Sequence, residues 1–374
     1  MIDFTKLFLR GSFPPIGKML NVAHRDQVVS NTFTADKYKL FSDGAEYGLH
    51  LRNLKDGEQE LEMTFCPAKI LQGHNGFGSN DLQGVVREAV RLIFRQHGIP
   101  LTTDIGTRLR TGDYRLSQVD IAELYRMPHA LIPVLCENIR RYAPSSLQAV
   151  PLERGVGVRL WPLSDSRRVL IYDKLHYFDD GPVKHKTILL AGTELESFAQ
   201  LGLHLNFDDL RKYLGQGVRI ETRVYGPFLR KRKLDKGSAW TTRIAGRVHR
   251  EVLEEVPLSD LGLSDVEAAI ASAPPSQGAL IALWAAGRTP RNFATSESAY
   301  FRHRKAILAN FRLDISRPAV ANAGLSWPQL VDPSSLVKSA PDWARGQGFF
   351  YNPRHPRGLP RSTKSGRRPT PSAR

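Results

Sequence analysis

The sequence predicts an α+β protein made of a larger part with mixed strands and helices, a smaller helical part and a basic tail. Three observations predict this. Strand-like runs at 45–51, 59–65, 114–121, 155–161, 168–175 and 217–225 interleave with helical patterns at 82–96, 129–142 and 206–214. Beyond about residue 256 the pattern is helical only, at 264–272, 277–286 and 296–310, with Pro274-Pro275 between the first two. Residues 345–374 carry Arg345, Arg354, Arg357, Arg361, Lys364, Arg367, Arg368 and Arg374, no acid, and much Pro, Gly and Ser, which predicts a disordered basic tail. The expected units are 1–250, 251–345 and 346–374.

Individual elements have local reasons. The helix at 82–96 has Asn80 or Asp81 as N-cap and Gly98 as its stop. Val156–Trp161 and Arg168–Leu175 read as a hairpin turning at Ser164-Asp165-Ser166. In the second of these strands Tyr172 and Lys174 are two apart and are expected on one face.

Composition narrows the function classes. The 374 residues hold 53 Lys+Arg against 37 Asp+Glu, a formal charge of +16 that asks for a polyanionic partner. Half of that excess sits in the tail, where a flexible cationic segment can grip phosphates without reading sequence. A second basic block spans Arg223 to Arg250 and includes Arg230, Lys231, Arg232 and Lys233, expected either as a solvated face or as DNA contacts. With 41% hydrophobic residues the chain is not disordered throughout. There is no apolar run of about 18 residues, so no membrane partner is expected. The start, MIDFTKLFLRGSF, does not read as a secretory signal. Cys66 and Cys136 alone exclude a disulfide framework and a cysteine-rich zinc site, and a reducing cytoplasm is the default.

Asp120 lies in a strand of otherwise apolar or neutral residues, where an unpaired buried acid would be costly, so a metal or an Arg partner is expected. Glu62 and Glu221 are similarly placed, and each is otherwise a surface or ion-paired acid. The most unusual string is Cys66-Pro67-Ala68-Lys69-Ile70-Leu71-Gln72-Gly73-His74-Asn75-Gly76-Phe77-Gly78, read as a Gly-punctuated loop presenting Lys69, His74 and Asn75. Its spacing is neither a P-loop nor GxGxxG, so no nucleotide site follows.

That string closely resembles the PAK-(V/I)-LQGHN-x-FG motif of the gene II replication initiators of filamentous bacteriophages. Further segments agree in order. Leu116–Ala122 is similar to the family's SRIDAT strand, Arg168–Lys174 to its strand ending in Tyr-x-Lys, and Gly217–Glu221 to its VRFEAR strand. Tyr300–Lys305 is similar to its YRHRK helix, and Ala340–Trp343 to its closing PDW. The resemblance spans about residues 1–345.

It implies an antiparallel-sheet, HUH-like nicking domain and a rolling-circle initiator. Such a protein nicks the viral strand at the origin of the double-stranded replicative form. A tyrosine joins the 5′ phosphate, a 3′-OH is left for host polymerase and helicase, and the displaced single strand is later reclosed. This chemistry would take place in the host bacterial cytoplasm with Mg²⁺ or Mn²⁺. By position the resemblance makes Tyr172 the nucleophile with Lys174 beside it; the strand carboxylates Asp120, Glu62 and Glu221 are the candidate ligands for a hard cation, and His74, which the family string contains, is expected as a ligand, a phosphate donor or a structural cap of its loop. Lys69 is expected either as a phosphate contact or as a solvent-facing Lys, and Arg302, Arg304 and Lys305, interleaved with Tyr300 and Phe301, either as origin or phosphate contacts or as a helix packing on its domain core. The sequence departs from the wider class in having no two His at i, i+2, so the metal site is expected to be carboxylate-rich or to use one His. A non-catalytic origin-binding or single-strand-binding protein would share the same basic charge.

Overall fold

The computed structural model describes residues 1–14, 18–24, 27–34, 38–39, 46–72, 74–153, 156–179, 207–258, 263–286, 288–311, 313–316, 327–337, 340–346 and 350–353. Gly73 of the motif and the expected tail from 354 onward lie outside them. The strands among them are β1 (Ile2–Gly11), β2 (Lys18–His24), β3 (Gln27–Thr34), β4 (Tyr38–Lys39), β5 (Glu46–Asn53), β6 (Gln59–Phe65), β7 (Arg115–Arg126), β8 (Val150–Pro151), β9 (Gly157–Leu160), β10 (Arg167–Tyr172) and β11 (Gly217–Tyr225). They form one sheet in the order β2-β3-β5-β6-β1-β7-β11-β10-β9-β8, with β4 on β5, and the pairings are antiparallel.

Helices α1 (Pro67–Gln72), α2 (Leu82–Gln96), α3 (Thr103–Thr111), α4 (Ile132–Tyr142), α5 (Lys174–Asp179), α6 (Phe207–Leu214), α7 (Gly226–Lys231) and α8 (Thr242–Glu254) accompany the sheet. The fold is α+β, as its pattern predicts. One sheet face carries Leu7, Leu9, Val119, Ile121, Val169, Ile171 and Ile220 and shares a hydrophobic core with α2, α3, α4 and α8. Asp81 caps α2 by accepting the Gly84 N–H at 3.0 Å, and Gly98 follows at φ +62°. The β9–β10 hairpin forms with Ser164 Oγ accepting the N–H groups of Ser166 and Arg167 in its turn. Gly217 opens β11 because a Cβ there would lie 1.8 Å from the Tyr125 carbonyl oxygen.

Three expectations change. The 66–78 segment is a loop only in its second half, since Pro67 to Gln72 wind into α1. The strand expected over 168–175 stops at Tyr172, because Asp173 Oδ1 accepts the His176 N–H at 3.0 Å and starts α5. The boundary at 250 falls inside α8, whose Ala245, Val248, Val252 and Leu253 belong to the sheet core. A separate apolar cluster joins α9 (Leu263–Ser272), α10 (Pro275–Ala285) and α11 (Glu297–Phe311) through Val266, Ile281, Trp284, Tyr300 and Ile307. The segment after it returns to the sheet: Trp327 and Leu330 join the main core, and the Val337 N–H donates to Leu124 O at 2.8 Å. The apolar cluster of the helical part draws on residues from Val266 to Ile315.

His249 of α8 is 1% exposed, with Nδ1 2.9 Å from Thr222 Oγ1. Burial pushes its imidazole down to about 4 from 6.5, against the pull of Glu123, while the N-terminal ammonium, Arg250 and Arg219 add to the lowering. The folded state therefore stays neutral at His249 while the unfolded chain takes up a proton below pH 6.5. Stability should fall as pH drops from 6.5 to 4, by up to about 3 kcal/mol from this residue. His249→Gln should flatten that acid limb in denaturant titrations at several pH values, and an unchanged limb would exclude the assignment.

Candidate active site

The opposite sheet face is polar where β10, β11 and β7 meet. Alternation puts Arg219, Glu221 and Arg223 of β11 on that face. Register sets Tyr172 of β10 across from Arg219, and Asp120 of β7 across from Arg223. The β1–β7 register slips between Ile2 and Phe4, leaving Asp3 as the extra residue. Such a bulge re-aims a side chain, and Asp3 reaches the same site.

Two chains of contacts run through this face. In the first, the Tyr172 hydroxyl donates to Glu221 Oε2 at 3.3 Å. Arg223 Nε lies 2.7 Å from Glu221 Oε1 and 3.2 Å from Asp120 Oδ2, while Gln118 Nε2 donates to Asp120 Oδ1 at 2.8 Å. In the second, Arg219 donates to Gly76 O at 3.1 Å and pairs with Asp3 Oδ1 at 3.3 Å. Asn75 Nδ2 donates to the same Asp3 oxygen at 2.9 Å, and Lys174 Nζ donates to Asn75 Oδ1 at 3.0 Å. The Lys174 ammonium lies 6.0 Å from the Tyr172 ring centre and 5.4 Å from that of Tyr177. Tyr172 is 7% exposed and Tyr177 48%.

Burial shapes the electrostatics. It raises the Tyr172 phenol well above its ordinary range, with Arg219 opposing. Burial and then Glu221 raise the Asp120 carboxyl. Burial acts to raise Asp3 too, but Arg219, Lys174 and Asn75 overcome it and hold the carboxyl below its usual value. Burial and then Arg219 bring Lys174 down to about 8. Burial would lower Arg223, yet Glu221 and Asp120 outweigh it and hold the guanidinium charged.

The expected residues divide. Tyr172, Lys174, Asp120 and Glu221 come together, although Lys174 arrives from the first turn of α5 rather than from a strand. Lys69, on α1, is close enough to bear on the charges of Asp3 and Lys174. Glu62 does not join them. It pairs with Lys6 at 2.6 Å and Arg52 at 2.5 Å. It sits on β6 opposite Phe8, whereas Asp120 on β7 faces Phe4, so two strand spacings and four residues separate them, roughly 16 Å. His74 is 5% exposed and shapes its own loop: Nδ1 accepts the Gly76 N–H at 3.2 Å and the ring meets Phe77 edge-on at 4.5 Å. Arg304 is turned to Asp314, with contacts of 3.0 and 3.3 Å, so its guanidinium is committed within the helical unit. Arg302 and Lys305 are exposed, as are Arg230, Lys231, Arg232 and Lys233, and Arg232 leans toward Glu251 and Glu255 of α8.

Asp3, Arg219 and Arg223 belong to the site without having been singled out, and Asn75 of the motif loop joins them. Arg219 carried the same signal as Asp120, a charge at an apolar strand position. The loop itself is held from far along the chain: Phe77 meets Trp343 at 5.8 Å and Phe350 at 6.4 Å, and the Tyr351 N–H donates to Gln72 Oε1 at 3.1 Å. This contact joins the Ala340–Trp343 segment to the motif it accompanies in sequence.

Among the described residues no three His, Cys, Asp or Glu side chains are gathered as a ready metal cage. The donor set that could take a hard divalent cation is Asp120 and Glu221, two buried carboxylates that now share one guanidinium nitrogen of Arg223, with Glu221 adding to the cost of charge on Asp120. Mg²⁺ in particular is commonly held by one or two carboxylates plus substrate phosphate oxygens.

No solved structure matches the chain. The replication-associated protein (gene II protein) of Enterobacteria phage I2-2 is 24% identical over 331 residues, covering 84% of this chain and 88% of that protein. The family model for the N-terminal part of this phage replication-associated protein matches residues 1–243, which hold the whole sheet and Asp3, Asn75, Asp120, Tyr172, Lys174, Arg219, Glu221 and Arg223. By that match the chain belongs to the phage replication-associated protein family of the gene II type.

Proposed function

We propose that this protein initiates rolling-circle replication of a phage genome by nicking one strand at its double-stranded origin, and that Tyr172 is the nucleophile. The observation that carries the reading is the Tyr172 hydroxyl on Glu221 Oε2, in a buried polar face where Asp120, Arg219 and Lys174 converge. A phenol held above its ordinary pKa attacks only if its proton leaves as the bond forms, and Glu221 is the acceptor in contact. The Tyr172 oxygen bonds to phosphorus, the strand's 3′ oxygen leaves and takes up a proton, and a 5′-phosphotyrosine remains. Arg219 stays charged beside the phenol, and Lys174 offers a second cation for charge developing on the phosphate. Asp120 and Glu221 would hold a divalent cation, whose chemistry there is to polarise the phosphate. Exposed Arg302, Lys305 and the cations at 230–233 would contact DNA, and host helicase and polymerase would extend the 3′-OH in the host cytoplasm. The test is incubation with a single-stranded origin oligonucleotide and Mn²⁺, followed by a denaturing gel. A protein–DNA adduct supports the reading, and its absence refutes the nuclease.

Lys174 gives the reaction a pH signature. It faces Arg219, Asp3, Lys69 and Glu221 and stands near 8. A lysine loses its charge as pH rises through its pKa, so single-turnover nicking should fall above about pH 8. Lys174→Met should lower the rate by about 10- to 100-fold, the scale of one electrostatic donor, and remove the alkaline fall. A variant that keeps the full alkaline fall would show that another group titrates.

A further inference from the structure

Helix α11 buries Ala299, Tyr300 and Ile307 in the helical unit. Its other face is unusual for a solvated helix. Phe301 is 48% exposed and Leu308 44%, and they share that face at helical spacing with exposed Lys305, next to exposed Arg302. The turn at Pro290–Phe293 packs against this helix and adds Phe293, 57% exposed. The Arg291 guanidinium lies 5.8 Å from the Phe301 ring centre. The acid on this face, Glu297, is paired with Arg291.

We propose that the Phe301 face of α11, with Phe293, Arg291, Arg302 and Lys305, is a stacking platform for single-stranded DNA, separate from the Tyr172 site. Exposed rings interleaved with cations fit unpaired bases over phosphates, because each base offers a π face and each phosphate a charge. A duplex keeps its base faces stacked inside and cannot use Phe301. A protein partner for an apolar helix face would not call for Arg291 beside the Phe301 ring and exposed Arg302 and Lys305 around it. The strand displaced during replication is the matching ligand. The assignment rests on the protein handling a DNA strand, not on its nicking chemistry.

Oligo(dT) binding by the full-length protein, measured by fluorescence anisotropy at several salt concentrations, tests it. Phe301→Ala should weaken binding about tenfold, within the range of losing one stacked base, and Phe301→Trp should restore it. An abasic oligonucleotide of equal length should bind wild type as weakly as oligo(dT) binds Phe301→Ala. Lys305→Ala should instead reduce the salt dependence, by about 0.7 in the log–log slope. Because Phe301 is half exposed and its remaining packing is an edge-on contact with Tyr300 at 5.5 Å, thermal melting of the variant should fall by no more than a few degrees. Equal affinity of wild type and Phe301→Ala for oligo(dT), or no penalty for the abasic strand, would overturn the proposal and leave the face to a protein partner. Tyr172→Phe should retain oligo(dT) binding, so failure of the nicking reading and failure of this one are distinguishable.

Discussion

Tyr172→Phe should bring covalent capture of an origin oligonucleotide to background and lower nicking on the order of 10⁴-fold or more, the scale seen when an enzyme loses its nucleophile. The expectation follows from what the substitution leaves intact. The ring fills the same space at the end of β10, and the lost contact is one hydrogen bond of 3.3 Å to Glu221, whose other oxygen still has Arg223. The cost to stability should be about 1 kcal/mol. A variant that melts like wild type and forms no adduct supports the assignment. One that forms the adduct at a normal rate excludes Tyr172. Tyr177 is the instructive neighbour, with its ring 6.0 Å from that of Tyr172 and far more exposed.

Arg219→Met should cost about 3–5 kcal/mol of stability, the range for breaking a buried ion pair by removing one partner. Arg219 is 1% exposed, and its removal leaves Asp3 buried without its chief counter-charge and Gly76 O without this donor. The Asp3 carboxyl, now held low mainly by Arg219 against burial, should rise. The double variant Asp3→Asn, Arg219→Met should regain part of the loss, because the uncompensated charge is gone. Urea denaturation of both variants checks this. Additive losses would mean the pair is not coupled.

Much of the fold was legible where a local signal ends an element. Asp81 and Gly98 bracket α2, and β6 and β11 match their strand runs residue for residue. β1 was not legible, although it lies between β6 and β7 within the sheet. Leu7 and Leu9 face the core while Phe4 and Phe8 lie on the other face, so both faces read as apolar and the period is lost. β10 was drawn too long because Asp173 looks like a strand residue until its capping role is seen. α8 was hidden by its basic residues, which drew attention to charge rather than to Ala245, Val248 and Val252 on one side. In the site, Tyr172, Lys174, Asp120 and Glu221 were readable from motif and from charge in apolar strands. Asp3 was not, since its position depends on a bulge that exists only when β1 pairs with β7. Glu62 gave the same sequence signal as Glu221, and only strand order separates them.

The most direct measurement is to trap the wild-type adduct with a short origin oligonucleotide, digest it with trypsin and nuclease, and locate the nucleotide by mass spectrometry. Arg168 and Lys174 flank one peptide, 169–174, which contains Tyr172 alone among tyrosines, and Tyr177 falls in the next. The nucleotide mass is expected on 169–174 at Tyr172. Nucleotide on the peptide containing Tyr177, on any other residue, or on none would contradict it.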